Sequence, residues 1–185
     1  MSKLETNTID TISGTTNLVI GSTNSSTVTF ENGAATGHMY PAFFAHATNN
    51  TSMSDATSTK MIFGTEVYDT DNLFDNSASR FTVTSSTEGK YFLYNQTQLQ
   101  SAAENQFIDG QVLLQKNGTT IHQGRQRPSG DGQIYTINLT FAIDLVANDY
   151  IEIFGYVDDS AGGSPEYNGN ASQYKSYFGA YRIGA

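Results

Sequence analysis

The sequence contains no cysteine, and only three of its 185 residues are proline. Without cysteine the chain has neither a disulfide framework nor a thiolate metal site, so its stability must come from packing or from oligomerisation. Its eleven tyrosines, eleven phenylalanines and seventeen glycines are typical of soluble β proteins and argue against a disordered or collagen-like chain. The length suits one domain with a modest appendage.

Basic residues are also scarce. Nine Lys and Arg residues stand against eighteen Asp and Glu residues, which gives a formal charge of −9. This charge repels phosphate backbones and anionic membrane surfaces, so we expect no nucleic-acid partner. The first ten residues lack the apolar core of a signal peptide, and no apolar run approaches the ~20 residues of a membrane helix. We therefore expect no membrane insertion, and an exit from the cell that uses no signal peptide.

Residues 38–185 are predicted to form a β-sandwich. Short runs such as KMIFGTEVY, KYFLYNQTQL and DYIEIFGYV place aromatic or β-branched residues at alternate positions, and no convincing amphipathic helix occurs among them. The pair Asn117-Gly118 predicts a tight hairpin turn, because both positions of a type I′ turn need φ > 0. The stretch FDNSASRFTVTSSTEGKYFLYNQ, residues 74–96, predicts a further strand, turn and strand.

Residues 1–37 have a different composition, with Phe30 as their only aromatic residue before the boundary that we place near Gly37. Short β-patterned pieces alternate there with Gly, Asn and Ser turns. Strands this thin form no core alone, so the segment is predicted to be an anchor or stalk that three intertwined chains or a larger surface would order. Its predicted contact residues are Leu18, Ile20, Val28 and Phe30. A Ser/Thr/Asn-rich linker is the alternative interpretation.

Residues 41–183 resemble the C1q/TNF-like jelly-roll family. In the signature region of that family an aromatic residue, an Asp and a short turn precede KFT and a G-x-Y-x-F strand. The residues that carry this resemblance here are Phe74, Asp75, Arg80, Phe81, Thr82, Gly89 and Tyr91, with Leu93 in place of Phe. Four further stretches are similar to family motifs and follow in the same order: PAFFAHAT, LLQKNGT, LVANDYIEIF and SYFGAYRI.

The resemblance implies a ten-stranded jelly roll that assembles as a compact homotrimer for display or recognition rather than catalysis. In the stretch from Lys90 to Tyr94, strand alternation turns Tyr91 and Leu93 to one side and Phe92 and Tyr94 to the other. One side fills the sandwich, and Phe92 and Tyr94 are therefore predicted to contact another subunit. The alternative is that these side chains tolerate solvent without a partner.

An acidic stretch, YDTDNLFD, places Asp69, Asp71 and Asp75 at a spacing similar to that of calcium-binding loops. An EF-hand is excluded because Phe74 and Arg80 occupy the positions where such a loop needs Gly and Glu. A looser calcium site on these three carboxylates remains one interpretation, and a solvated acidic turn is the other. We expect no further cofactor.

The stretch GRQRPSGDG concentrates Arg125 and Arg127 in what its composition predicts to be a loop. Guanidinium groups bind carboxylates in a bidentate manner, so this loop is a candidate for contact with an anionic saccharide or a neighbouring subunit, unless it is merely solvated. No zinc-ligand spacing relates His38, His46 and His122. Ser164 precedes Pro165, which lacks the N–H that an oxyanion hole needs, so an enzyme is not expected.

The N-terminal composition resembles the Thr/Ser/Asn-rich β-repeat stalks of bacteriophage fibres and head-surface proteins. We therefore expect a trimeric protein of the virion surface, bound to the major capsid protein or another virion protein through residues 1–37. A chain of 185 residues is short for a long tail fibre, which favours a capsid decoration protein or a short head fibre. The alternative is a tail-fibre receptor-binding tip or an adhesin that binds a host surface glycan.

Overall fold

The computed structural model describes residues 41–129 and 132–184. These residues form strands and turns and no α-helix, so no helix among them is long and apolar enough to cross a membrane. The strands are β1 (Ala42–His46), β2 (Thr51–Ser52), β3 (Thr59–Lys60), β4 (Thr65–Asp69), β5 (Phe74–Asp75), β6 (Arg80–Thr82), β7 (Gly89–Gln100), β8 (Phe107–Lys116), β9 (Thr119–Gln126), β10 (Ile134–Leu145), β11 (Tyr150–Asp159), β12 (Glu166–Tyr167) and β13 (Tyr177–Gly184).

Ten of these strands form two antiparallel sheets of five. The first sheet has the order β4-β1-β13-β7-β10, and the second has the order β5-β6-β11-β8-β9. The other three strands have two residues each: β12 pairs with β7 and β2, and β3 pairs with β11. The predicted ten-stranded jelly-roll sandwich is thus confirmed, with three short strands added.

Strand β7 shows why this sequence makes a two-faced sheet. Tyr91 and Leu93 are fully buried between the sheets, whereas Phe92 and Tyr94 lie on the outer face and are partly exposed. Successive side chains of a strand point to opposite sides, so the alternation that is visible in the sequence separates a core face from an outer face.

The core is centred on the phenylalanines of both sheets. The Phe43 ring of β1 stacks on Phe74 with 4.6 Å between ring centroids and on Phe81 at 4.8 Å, and it meets Phe178 edge-on at 5.0 Å. Stacked and edge-to-face rings add to the free energy gained by removing apolar area from water. These contacts join β1 and β13 of the first sheet to β5 and β6 of the second.

The hairpin turn between β8 and β9 is as predicted. Asn117 and Gly118 have φ angles of 52° and 78°, the left-handed region that a tight turn of this kind needs. The Asn117 side chain also holds the next turn, because its Nδ2 donates to Asp149 at 2.7 Å and its Oδ1 accepts from the Tyr150 amide at 2.9 Å.

The strand, turn and strand predicted within residues 74–96 are present as β6, residues 83–88 and β7. The expected pairing of the two strands as a hairpin is wrong, because β6 belongs to the second sheet and β7 to the first, so residues 83–88 cross between the sheets. The run KMIFGTEVY reads as one strand, yet Lys60 pairs in the second sheet and Thr65 in the first. Residues 61–64 make this crossing outside any strand, yet their side chains alternate between buried and exposed as those of a strand do, so local alternation cannot distinguish the crossing from a continuous strand.

The N-terminal predictions concern residues outside the described part of the chain. The boundary near Gly37 and the contacts of Leu18, Ile20, Val28 and Phe30 all lie there, and they remain predictions.

Candidate functional site

The outer side of the first sheet carries a layer of aromatic side chains from four of its strands. We call this layer the aromatic face and define it as Phe44, Tyr68, Phe92, Tyr94, Tyr177 and Tyr181. The strand register brings the rings together: Phe44 lies opposite Tyr68 and Gly179, Gly179 opposite Tyr94, and Tyr181 opposite Phe92. The layer therefore spans β4, β1, β13 and β7.

Gly179 is the reason that the Tyr94 ring can lie flat on this sheet. A Cβ atom at Gly179 would fall within 2.4 Å of the Tyr94 ring and hydroxyl, far closer than real contacts allow. Because the glycine leaves this space, the Tyr94 ring extends across β13. Its hydroxyl lies 3.3 Å from the hydroxyl of Tyr68 on β4, three strands away from β7. A glycine in a strand often marks such a close approach.

Phe44 is the centre of the aromatic face. Its ring centroid lies 5.4 Å from that of Tyr177, 6.2 Å from that of Tyr68 and 6.3 Å from that of Tyr94. Phe92 and Tyr181 form a second pair at 5.4 Å. These distances lie in the range at which aromatic pairs attract each other, so the side chains form a connected layer.

Burial among these rings changes the chemistry of Tyr94. Loss of water around its hydroxyl raises the pKa of Tyr94 well above the usual value of 10.0, and the hydrogen bond with Tyr68 raises it further. Tyr94 is therefore a neutral phenol at every physiological pH. The centre of the layer is uncharged and half-buried, whereas Tyr68 at its edge keeps 45% of its surface exposed.

Tyr174 lies at the rim of the aromatic face in a strained conformation. Its φ angle is 47°, an uncommon value for a residue other than glycine. The turn before it is held by Asn170, whose Oδ1 accepts from the amides of Ser172 and Gln173. This backbone places the Tyr174 ring edge-on against Phe44 at 5.5 Å and against His46 at 4.7 Å.

The sequence predicted part of this layer. The structure places Phe92 and Tyr94 on the outer face, as the alternation in β7 indicated. Phe44, Tyr68, Tyr177 and Tyr181 were not assigned, because the register that brings their strands side by side is set by pairing over long sequence distances. The doublet Phe43-Phe44 was an available signal: two adjacent aromatic residues in a strand must face opposite sides.

The candidate calcium ligands accept hydrogen bonds from residues of their own turns. Asp69 accepts from the Phe74 amide at 2.7 Å and from the Asp71 amide at 3.3 Å. Asp75 accepts from the Ser77 hydroxyl at 2.7 Å and from the Ala78 amide at 3.0 Å, and these bonds lower the pKa of Asp75. Among the described residues no three His, Asp or Glu side chains are grouped to hold a metal. The structure therefore does not bring Asp69, Asp71 and Asp75 together, and calcium stays a prediction.

The predicted arginine loop is wrong for Arg125, which lies within strand β9. Its Nε and Nη2 atoms donate to both carboxylate oxygens of Asp109, with distances of 2.5 to 3.1 Å. Arg127 follows the strand and lies 3.5 Å from the same carboxylate. Asp109 is only 3% exposed, and the hydrogen bonds from Arg125 hold its pKa below the usual range. Arg125 therefore already binds a carboxylate of its own chain.

Arg125, Arg127 and Asp109 lie on the outer side of the second sheet, and a second group of charged side chains lies on the same side. Glu152 of β11 is 5% exposed, and its Oε1 accepts from Lys60 Nζ at 2.5 Å and from Arg80 Nε at 2.8 Å. We call the outer side of this sheet the charged face and define it by its ionic residues: Lys60, Arg80, Asp109, Arg125, Arg127 and Glu152.

Two of the three histidines lie in the described residues and share no site. His46 is buried beneath Tyr174, and the His122 ring stacks on Phe141 at 5.0 Å. His38 lies outside the described residues. Aromatic contacts account for both described rings, as expected of histidines that pack beside apolar groups.

Solved structures of known proteins share this fold. The globular domain of zebrafish complement 1qA aligns with a TM-score of 0.54 at 12% identity, over 77% of this chain and 97% of that chain. Eiger TNF from S. frugiperda aligns with a TM-score of 0.57 at 13% identity, over 78% and 92%, and murine APRIL with 0.53 at 12%, over 76% and 98%. No family model and no curated protein matches the sequence. The chain therefore has a C1q/TNF-like jelly-roll fold, and at this identity the likeness shows the fold alone.

Proposed function

We propose that this chain is a non-enzymatic structural protein of a bacteriophage virion. In this proposal it assembles as a homotrimer through the aromatic face and is displayed on the capsid as a decoration protein or a short head fibre. The observation that carries the proposal is the aromatic face itself, a connected layer of six rings on the outside of the sandwich.

Self-association is supported by the chemistry of this face. Tyrosine and phenylalanine are enriched at protein interfaces, and a contiguous apolar patch on the surface of a soluble protein usually marks an interaction site. The rings are already ordered by Gly179 and by stacking, so a partner that covers them loses little side-chain freedom. The C1q/TNF resemblance implies that the partner is two further copies of the chain.

The virion role is supported by the sequence of residues 1–37. Their Thr/Ser/Asn-rich β pattern resembles phage stalks, and Leu18, Ile20, Val28 and Phe30 supply the apolar side chains that a capsid protein would cover.

Light scattering on the full chain tests the trimer. The wild type is expected to have three times the chain mass of 20.1 kDa at micromolar concentration. Phe44→Asp and Phe92→Asp place an unpaired charge in the aromatic face and are expected to give monomers. Gln123→Asp is the control, since it introduces the same negative charge at an exposed position of β9 in the second sheet. A wild-type monomer would contradict the proposed trimer.

Sedimentation with purified phage capsids that lack the protein tests the virion role. The wild type is expected to pellet with the capsids, and a full chain carrying Val28→Asp and Phe30→Asp is expected to stay in solution as an intact trimer. A wild-type trimer that fails to bind the capsids of every phage related to its source would remove the virion role and leave the trimer standing.

A further inference from the structure

The charged face contains two buried carboxylates, and each of them is bound by two cations. Glu152 is shared by Lys60 and Arg80, and Asp109 is shared by Arg125 and Arg127. One carboxylate neutralises one of the two positive charges in each group. The two buried carboxylates lie beneath the surface while the ends of the cationic side chains reach solvent, so a ligand meets exposed cationic groups at two places. Asp75 and Asp158 balance the remaining positive charge of the face as a whole.

Arg80 is held in place for such a ligand. Its guanidinium carbon lies 4.1 Å from the centre of the Tyr150 ring, and its Nε donates to Glu152 at 2.8 Å. Its terminal nitrogens donate to no other side chain among the described residues, and 40% of the side chain is exposed. A guanidinium that is fixed in this way presents a free pair of N–H groups, the geometry that binds a carboxylate in a bidentate manner.

Arg127 supplies the corresponding group near the other end of the face. Its side chain is 65% exposed, and within residues 41–129 and 132–184 its one ionic contact is with Asp109 at 3.5 Å. Because Arg125 and Gln111 together already donate four hydrogen bonds to that carboxylate, most of the donor capacity of Arg127 is not used there.

Partly exposed apolar side chains fill the space between the two cation groups. Phe154 lies opposite Lys60 on one side and Leu113 on the other, and Tyr156 follows two residues later on the same face of β11. Lys60 and Arg125 are three strands apart and offset by two residues along the strand, so their Cα atoms are about 16 Å apart at a strand spacing of about 4.8 Å. The face has apolar side chains in its middle, with Gln111 beside Tyr156, and a cation group at each end.

Two acidic side chains also face these groups. Asp75 lies opposite Arg80 on β5, and Asp158 lies opposite Asp109 on β11. With the chain's net charge of −9, they repel a densely charged polymer. A ligand whose negative charges are spaced apart is repelled less, and flat amphipathic parts of such a ligand fit the apolar side chains between the cation groups.

We propose that the charged face binds a linear acidic saccharide, with its sugar rings on Phe154 and Tyr156 and its carboxylates on the Arg80–Lys60 group and on Arg127. Sugar rings have flat apolar faces that pack against aromatic rings, and uronic acid residues carry the spaced carboxylates. The site lies on the opposite side of the sandwich from the aromatic face.

Calorimetric titration of the full chain tests this site, with a galacturonic acid hexasaccharide as the probe. The wild type is expected to bind, and its affinity is expected to fall as salt is raised, because the charges are exposed. Arg80→Gln and Arg127→Gln are each expected to weaken binding about tenfold, the loss of one charge-assisted contact. Lys116→Gln is the matched control: its ammonium pairs with Asp149 at 2.7 Å, away from this face.

Three results would overturn the site. They are no binding of the hexasaccharide, equal binding of a neutral maltohexaose, and unchanged affinity in Arg127→Gln. Because Arg127 is exposed, a loss of affinity in this variant cannot be explained by unfolding. Tighter binding of a glutamate hexapeptide would assign the face to acidic peptides and remove the saccharide. Light scattering on the same samples reports the trimer separately, so failure of the saccharide site leaves the proposed function untouched.

Discussion

The two outer faces of the sandwich are built by the same strand alternation and carry opposite chemistry. On the first sheet, Phe44 and Tyr94 lie in a layer of aromatic rings whose contacts are stacking and one weak hydroxyl pair. On the second sheet, Glu152 and Asp109 are buried beneath cations of their own chain. Both faces cover one common core of phenylalanines.

The difference concerns what each face needs from outside. The charged face satisfies its buried carboxylates internally, so it is stable in water and offers only its surplus donors. The aromatic face has no means of hiding its rings within one chain, and burial of apolar area against a partner is the free energy it can still gain. The charged face is suited to a ligand that binds reversibly, and the aromatic face to a permanent subunit contact.

Phe178→Ala has the largest expected effect, because it removes the support of both faces. Phe178 is fully buried against Phe43 and Phe63, and truncation of a buried aromatic costs about 3–5 kcal/mol through lost burial and a cavity. Denaturant unfolding measures it. Tyr181→Ala, on the same strand but on the aromatic face, is the control and is expected to weaken the trimer more than the fold. Equal losses would mean that the outer rings are as essential as the core.

Gly179→Ala disturbs the aromatic face alone. The added methyl group occupies the space of the Tyr94 ring, and overpacking of this kind costs about 1–3 kcal/mol. We expect a lower unfolding midpoint and a weaker trimer in the same preparation. Gly64→Ala is the control, since the nearest atom to its new Cβ would be 3.9 Å away. A normal trimer in Gly179→Ala would show that the position of the Tyr94 ring is irrelevant to assembly.

Low pH is expected to weaken the charged face. Burial alone would raise the pKa of Glu152, but the hydrogen bonds from Lys60 and Arg80 lower it below 4.5. A carboxylate with a depressed folded pKa stabilises the protein above its unfolded pKa, and this stability is lost as pH falls through the folded value. Glu152→Gln should reduce stability at pH 7 by about 1.5 kcal/mol and flatten the decline below pH 4.5, as followed by thermal unfolding. A wild type that is equally stable at pH 3 and pH 7 would contradict this role.

High pH is expected to weaken the aromatic face. The folded pKa of Tyr94 is raised above 10.0, so its contribution is fully present below the unfolded pKa and is lost as pH rises beyond it. Tyr94→Phe keeps the ring, removes the titrating hydroxyl and is expected to flatten this loss between pH 10 and pH 12. The same alkaline decline in wild type and Tyr94→Phe would mean that another phenol is responsible.

The smallest effects are expected in the acidic turn. Asp71→Ala changes an exposed side chain and should alter stability by less than about 0.5 kcal/mol. Asp69→Ala removes the acceptor of the Phe74 amide and should cost about 1 kcal/mol. Melting with and without a calcium chelator is the measurement. If the chelator lowers the midpoint of the wild type but not of the two variants, the carboxylates bind calcium and the solvated-turn interpretation is wrong.

Local sequence patterns predicted the strands and the two-sided character of β7. They failed where the chain changes sheets, at residues 61–64 and 83–88, because an extended segment looks the same whether it continues a strand or crosses to another sheet. They also failed for Arg125, since GRQRPSGDG has the composition of a loop although β9 extends into it as far as Gln126. Pairing with β8 there outweighs the turn-forming residues.

The candidate surfaces were less predictable than the fold. Phe92 and Tyr94 were identified because their alternation lies within one strand. Glu152 was not identified, because its cations Lys60 and Arg80 are 92 and 72 residues away in the chain. Nothing in the residues around Glu152 indicates that it is buried. The free-energy cost of burying its carboxylate is offset only by cations that lie far away in the sequence.

The sequence by itself determined the all-β class, the alternation of core and outer side chains, and the turn at Asn117-Gly118, because periodicity and left-handed turn residues act over a few neighbouring positions. The tertiary structure alone decided which sheet each strand joins, that Gly179 makes room for Tyr94, and which cations cover Glu152 and Asp109. These depend on register between distant strands, and register is set by the simultaneous fit of the whole core rather than by any short segment.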